Sequence, residues 1–310
     1  MQTGRICLMF MGSVVASPAW ASGVTVGGGA DAGAILTVPE GELVADGGLR
    51  ELEGQLRFVA GSVRGRFDVE IGLSFGPGGP RATLAPEYAT VGVVAGDAWL
   101  DAGFSRTPWR LESTDGWERT FVTRWDRVGG PGAAPDASLG VELGFGAPTR
   151  GVAVVAGWSG FDTWSLTGAP PALGPLVLGV HGRLAEDDSP AATRLTGGVW
   201  AAPSNWSFGG AEVAGRIVAA PVAVEGEVRV GFTGAAAAVV SAELFPSGLV
   251  RPALRLGWDA GVLGSVGFGV HPLPWVGFRA EAGWRQGAAL AAVSATAAAP
   301  AKAPKAPRKS

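Results

Sequence analysis

The chain has 310 residues, with 27 Asp and Glu against 24 Lys and Arg, and charged residues make up only 16% of it. A solvated globular surface usually carries about 25% or more, so a conventional soluble domain fits poorly. All three lysines, Lys302, Lys305 and Lys309, sit in the last few residues; without that tail and Arg5 the body is acidic, which excludes the basic footprint that nucleic-acid binding needs.

Residues 1–21 have the layout of a secretory signal. Arg5 precedes the uncharged apolar run Ile6 to Val15, and Pro18 with Ala19-Trp20-Ala21 suits cleavage after Ala21. The run is well short of the ~20 residues of a spanning helix. Cys7, the only cysteine, lies ahead of the run and would leave with the signal, so the mature chain is expected to hold no disulfide and no thiolate-ligated metal.

From about residue 50 to residue 285, apolar and polar residues alternate. Phe67, Val69, Ile71, Leu73 and Phe75 interleave with Arg66, Asp68, Glu70, Gly72 and Ser74. The same beat returns at Val222, Val224, Val228, Val230 and Phe232, and at Leu254, Leu256 and Trp258. Period two means strands with one apolar and one polar face. Strands are expected at 24–38, 49–60, 66–75, 81–94, 98–105, 137–146, 150–159, 174–185, 191–202, 206–218, 222–232, 235–246, 249–260, 262–271 and 274–285, with a weaker one at 287–297. Most are near the ~10 residues that cross a bilayer at a barrel's tilt. Gly76-Pro77-Gly78-Gly79-Pro80, Ala95-Gly96-Asp97, Ala147-Pro148-Thr149, Pro246-Ser247-Gly248 and Pro272-Leu273-Pro274 read as turns. Alternating the turns from a periplasmic N-terminus puts the two longest connections, 106–136 and 160–173, on the external side, the asymmetry of outer-membrane barrels.

The pattern therefore predicts an all-β chain: a closed antiparallel transmembrane β-barrel of about 16 strands (12–16) over 22–297. The apolar stretches Val230–Ala242 and Gly287–Pro300 are too short for transmembrane helices, and a barrel is the other structure that satisfies its backbone in lipid. Abundant Gly and Trp suit bending strands and interfacial aromatic belts. A secreted β-sandwich or solenoid would also alternate, with its apolar face inward. Residues 298–310, rich in Ala, Pro and Lys, read as a disordered basic tail hanging in the periplasm, either idle or in contact with an anionic polymer such as peptidoglycan.

Residues 98–125 carry Gly103 and Phe104 at a strand end, then Pro108, Trp109 and Glu112. This resembles a stretch of bacterial outer-membrane porins, particularly the phosphate-selective-porin-like and related β-barrel porins, where a Pro-aromatic-x-x-Glu turn follows such a strand. The chain departs from many such barrels in lacking a terminal aromatic; Trp284 is the nearest, with residues beyond it. The resemblance implies a long loop folded into the lumen, where opposed charges sort solutes by charge and dipole.

In that segment Arg106, Arg110, Arg119, Arg124 and Arg127 lie among Glu112, Asp115, Glu118 and Asp126. They are the candidates for a constriction; the same charges in an exposed loop would pair with one another. Arg66, Asp68, Glu70, Glu225, Glu227, Arg229, Arg251, Arg255, Arg279 and Glu281, with Arg57 and Glu142, are expected to face the lumen. No catalytic, cofactor or metal site is expected. Phosphate-loop, dinucleotide and zinc-protease motifs are absent. Neither His181 nor His271 has a recognisable nucleophile nearby, and Glu186-Asp187-Asp188 reads as a solvated turn.

The expected function is an outer-membrane channel for passive diffusion of small hydrophilic solutes or ions, not an enzyme. Its surroundings would be outer-membrane lipid and small solutes, with a homo-oligomer as one arrangement. A non-conducting structural or adhesive barrel and a secreted soluble β-sandwich are the alternatives.

Overall fold

The computed structural model describes residues 22–39, 42–106, 121–122, 137–147, 150–159, 164–165, 174–186, 192–259, 261–273, 275–285 and 287–299. The strands are β1 (Ser22–Val38), β2 (Val44–Ala60), β3 (Val63–Gly76), β4 (Gly79–Ala95), β5 (Ala98–Arg106), β6 (Ala137–Ala147), β7 (Arg150–Ser159), β8 (Trp164–Ser165), β9 (Leu176–Ala185), β10 (Arg194–Ala202), β11 (Asn205–Ala219), β12 (Val222–Gly231), β13 (Ala236–Leu244), β14 (Val250–Asp259), β15 (Val262–Leu273), β16 (Val276–Arg285) and β17 (Ala288–Ala299).

All but the two-residue β8 form one continuous antiparallel wall of 16 strands. Each strand pairs with its sequence neighbours, and β7 pairs directly with β9. The ring closes because β1 pairs with β2 on one side and with β17 on the other, from Gly28↔Ala299 to Val38↔Ala289. A single sheet closed on itself is not a sandwich, which removes that alternative. Closure also leaves no unpaired edge strand around the wall.

The alternation decides which residues point where. Phe67, Val69 and Ile71 are exposed and Asp68 is buried on β3. Val228 and Val230 are exposed and Glu227 and Arg229 buried on β12. The outer surface is thus a broad apolar band with Val, Leu and Ile at mid-strand. Aromatic side chains mark its two borders. Trp158, Trp258 and Trp284 are exposed at the ends of β7, β14 and β16, while Phe145, Phe245 and Trp275 are exposed at the opposite end of the barrel. Girdles of aromatic residues at both borders of an apolar band are a feature of barrels that span a bilayer.

Both ends of the wall, Ser22 and Ala299, lie on one side. The connections that follow β5 and β7 leave from the other side. Turns on the chain-end side include Gly61-Ser62 between β2 and β3, where Gly61 takes φ 63°, the left-handed conformation a two-residue hairpin demands. Gly103, at φ 130°, lets β5 pass close to the Ala89 carbonyl of β4, where a Cβ would collide.

Three local features depart from the sequence expectation. The Gly76–Pro80 turn shrinks to Pro77-Gly78, since β3 runs to Gly76 and β4 starts at Gly79. Pro272 and Leu273 belong to β15 rather than to a turn; Pro272 sits at a register shift between Val270 and Leu273, where its missing N–H disrupts no regular pair. β8 is an extra element that pairs Trp164 with Leu84 and Ser165 with Thr83. It covers part of β4 that the short β5, paired only over Ala89–Ala95, leaves open.

Candidate functional site: the charged barrel interior

Closing the sheet brings the polar faces together inside, and the interior is held by ions more than by hydrocarbon. On β11–β13, Arg216 donates to Glu225 at 2.8 Å and to Glu243 at 3.3 Å, and the Ser241 hydroxyl donates to Glu225 at 3.1 Å. On β14 and β16, Arg255 donates to Glu281 at 2.6 Å, with both side chains at most 2% exposed. Arg279 donates to the Ser294 hydroxyl at 3.2 Å and faces Asp31 of β1 at 3.3 Å.

Across β3–β5, Arg64 grips Asp101 with two bonds of 3.0 and 2.6 Å while its guanidinium lies 5.0 Å from the Trp99 ring centroid. Arg66 pairs with Asp68 and stacks over Tyr88 at 3.4 Å. On the strands that follow, His181 of β9 meets Glu142 of β6 at 3.0 Å, reaching across β7 past Ala153, which opposes His181 in register. One arc is apolar instead: Val155, Val177 and Trp200, from β7, β9 and β10, pack together on the inner face.

A piece of the segment after β5 stands in this interior. Phe121 is 3% exposed and Val122 is fully buried. Arg50 of β2 donates to the Val122 carbonyl at 2.8 Å. The Arg255 guanidinium lies 4.3 Å from the centre of the Phe121 ring, a cation–π contact. Gly267 of β15 leaves the room the ring needs, because a Cβ there would approach it to 2.9 Å. β14 lies half-way round the sixteen-strand ring from β5. The segment therefore leaves one wall and touches the wall opposite.

Arg66, Asp68, Glu70, Glu225, Glu227, Arg229, Arg251, Arg255, Arg279 and Glu281 all lie on inward-facing strand positions, as do Arg57 and Glu142. Arg106 is the last residue of β5. Arg110, Glu112, Asp115, Glu118, Arg119, Arg124, Asp126 and Arg127 lie outside the described residues. Phe121 and Val122 were not singled out by the sequence. Their one signal is an adjacent apolar pair in a run otherwise dominated by charge. Among the described residues no group of three or more His, Cys, Asp or Glu could hold a metal ion.

No protein-family model matches the chain, and no curated protein matches it in sequence. Solved structures do. The barrel is similar to Salmonella typhi OmpF in complex with daunomycin, with a TM-score of 0.62 at 10% identity, covering 90% of this chain and 98% of that one. It is also similar to a triple mutant of the Rhodopseudomonas blastica porin, with a TM-score of 0.53 at 9% identity over 89% of this chain and 100% of that one. At such identities the likeness is one of fold.

Proposed function

We propose that the chain is a porin-like channel of the bacterial outer membrane, passing small hydrophilic solutes or ions by diffusion through the barrel, with the segment after β5 as its constriction. One observation carries this reading: the barrel is inside-out, with an apolar, aromatic-bordered exterior, a charged interior, and Phe121 and Val122 standing inside against β2, β14 and β15. Lipid satisfies the outer face, and water makes interior charge affordable. The likeness to porins supports a channel rather than an enzyme. The same reading has residues 1–21 removed as an export signal and the basic tail in the periplasm, where peptidoglycan is a partner to test. A homo-oligomer is compatible with it.

In this proposal the charges at Arg106, Arg110, Glu112, Asp115, Glu118, Arg119, Arg124, Asp126 and Arg127 narrow and polarise the pore. The inward-facing strand charges line the remainder. Opposed charges in a confined space sort ions by Coulomb interaction.

A plugged barrel with a structural role is the second reading. It is favoured by the depth at which pairs such as Arg255–Glu281 are buried. Detergent-extracted protein should run as a compact band on SDS gels unheated and shift on boiling. Reconstituted into a planar bilayer, it should give discrete conductance steps. A heat-shifting band without conductance would select the plugged barrel; soluble protein with no shift would refute both.

A further inference from the structure

The inward-facing charges are sorted along the barrel axis. Near the chain-end side stand Arg57, Arg64 and Arg66 on β2 and β3, and Arg183 and Arg194 on β9 and β10. Arg216, Arg251 and Arg279 on β11, β14 and β16 complete the set. Arg194 opens β10, and Arg64 and Arg251 are the second residues of their strands. The carboxylates at this level are Asp101, Glu142, Glu225 and Glu243.

Further in, the balance inverts. Asp31, Glu51, Glu53, Asp68 and Glu70 line one wall, and Glu212, Glu227 and Glu281 the other; the arginines of this zone are Arg50, Arg229, Arg255 and Arg285. Among the described residues, the first zone thus sets eight arginines against four carboxylates, and the second eight carboxylates against four arginines; at the long-loop rim beyond them Asp46 and Arg81 offset each other. The zones meet at ion pairs: Arg66 with Asp68, and Arg279 with Asp31 at 3.3 Å.

We propose that these two zones act in series as oppositely charged filters, so that the pore passes ionic current asymmetrically. The inference rests on the channel reading above. The arginine collar concentrates anions at the chain-end mouth, and the carboxylate zone concentrates cations beyond it. When the long-loop side is positive, cations from the acidic zone and anions from the collar are both driven toward the junction, and the pore fills with carriers. At the opposite polarity both are drawn away, and the junction empties. Each zone is a few residues deep at ~3.3 Å per residue, comparable to the ~10 Å Debye length at 0.1 M salt and well beyond the ~3 Å at 1 M.

The test is the current–voltage curve of the full-length chain carrying Cys7→Ser, in a planar bilayer with equal salt on both sides. At 0.1 M the current with the long-loop side positive should exceed that at the reverse polarity by about twofold or more, and the ratio should fall toward one near 1 M. The Arg183→Gln/Arg251→Gln double variant should lower the ratio. In an Arg183→Cys variant, a cationic methanethiosulfonate should restore the ratio and an anionic one depress it. Faster reaction from one chamber identifies the chain-end side. Absence of conductance overturns the channel reading and this inference with it. A symmetric curve at 0.1 M, the opposite sense, or asymmetry that survives 1 M salt overturns the inference alone.

Discussion

The seating of Phe121 and Val122 inside the barrel can be weakened one contact at a time. Arg50→Met deletes the charged donor to the Val122 carbonyl, a bond worth ~1.5–3 kcal/mol, which multiplies the unseated fraction ~10- to 100-fold. Phe121→Ala removes a ring that is 3% exposed, and truncating a buried phenylalanine costs ~3–5 kcal/mol. It also forfeits the contact with the Arg255 guanidinium at 4.3 Å, about 1–2 kcal/mol where the cation is desolvated. Phe121→Ala should therefore unseat the segment more completely than Arg50→Met. Single-channel recording and the size cut-off for sugars entering proteoliposomes would measure this. Conductance and cut-off should both rise in the order wild type, Arg50→Met, Phe121→Ala, while the heat-shifting band is retained. An intact Phe121→Ala barrel with unchanged conductance and cut-off would refute the idea that this contact narrows the lumen.

Two further outcomes follow from the wall. Val154→Arg places a charge at mid-strand on the outer face, where Val154 is 52% exposed; if that face meets lipid, urea unfolding from vesicles should show a loss of ~2–4 kcal/mol, whereas a water-facing site would show almost none. Arg216→Ala leaves Glu225 and Glu243 facing each other without the cation between them. Breaking a buried pair costs ~3–5 kcal/mol, and the temperature of the gel shift should fall, while Arg216→Lys should recover part of the loss.

The wall was legible because a half-buried strand writes its two faces into consecutive residues. That is how a closed antiparallel barrel of about 16 strands could be read from alternation. Alternation fades where glycine fills both faces, which is why β2 begins at Val44 rather than 49: Asp46, Gly47 and Gly48 look like a turn, but all three pair with β1, and the two glycines with β3 as well. β8 has two residues and no period to read. The pairing of His181 with Glu142 spans strands that are not neighbours, and no local pattern encodes such a contact. Phe121 and Val122 are hard to read for a related reason: in a sequence with no two-residue period, charge stands out, while an apolar pair makes the contacts with the wall.

The polarity of this barrel changes what its stability means. A soluble domain carries its hydrophobic core inside itself; here, among the described residues, large apolar side chains that face outward, such as Val154, Leu143 and Trp258, far outnumber buried ones such as Trp200 and Phe121. On the membrane reading proposed above, the chain has little of its own to collapse around in water, and the favourable burial arrives with the surrounding hydrocarbon. The bilayer is then half of the folding unit. Acyl-chain length becomes a thermodynamic variable alongside sequence: lipids too thick or too thin for the band between the aromatic borders should weaken the fold by fractions of a kcal/mol per ångström of mismatch, with no residue changed.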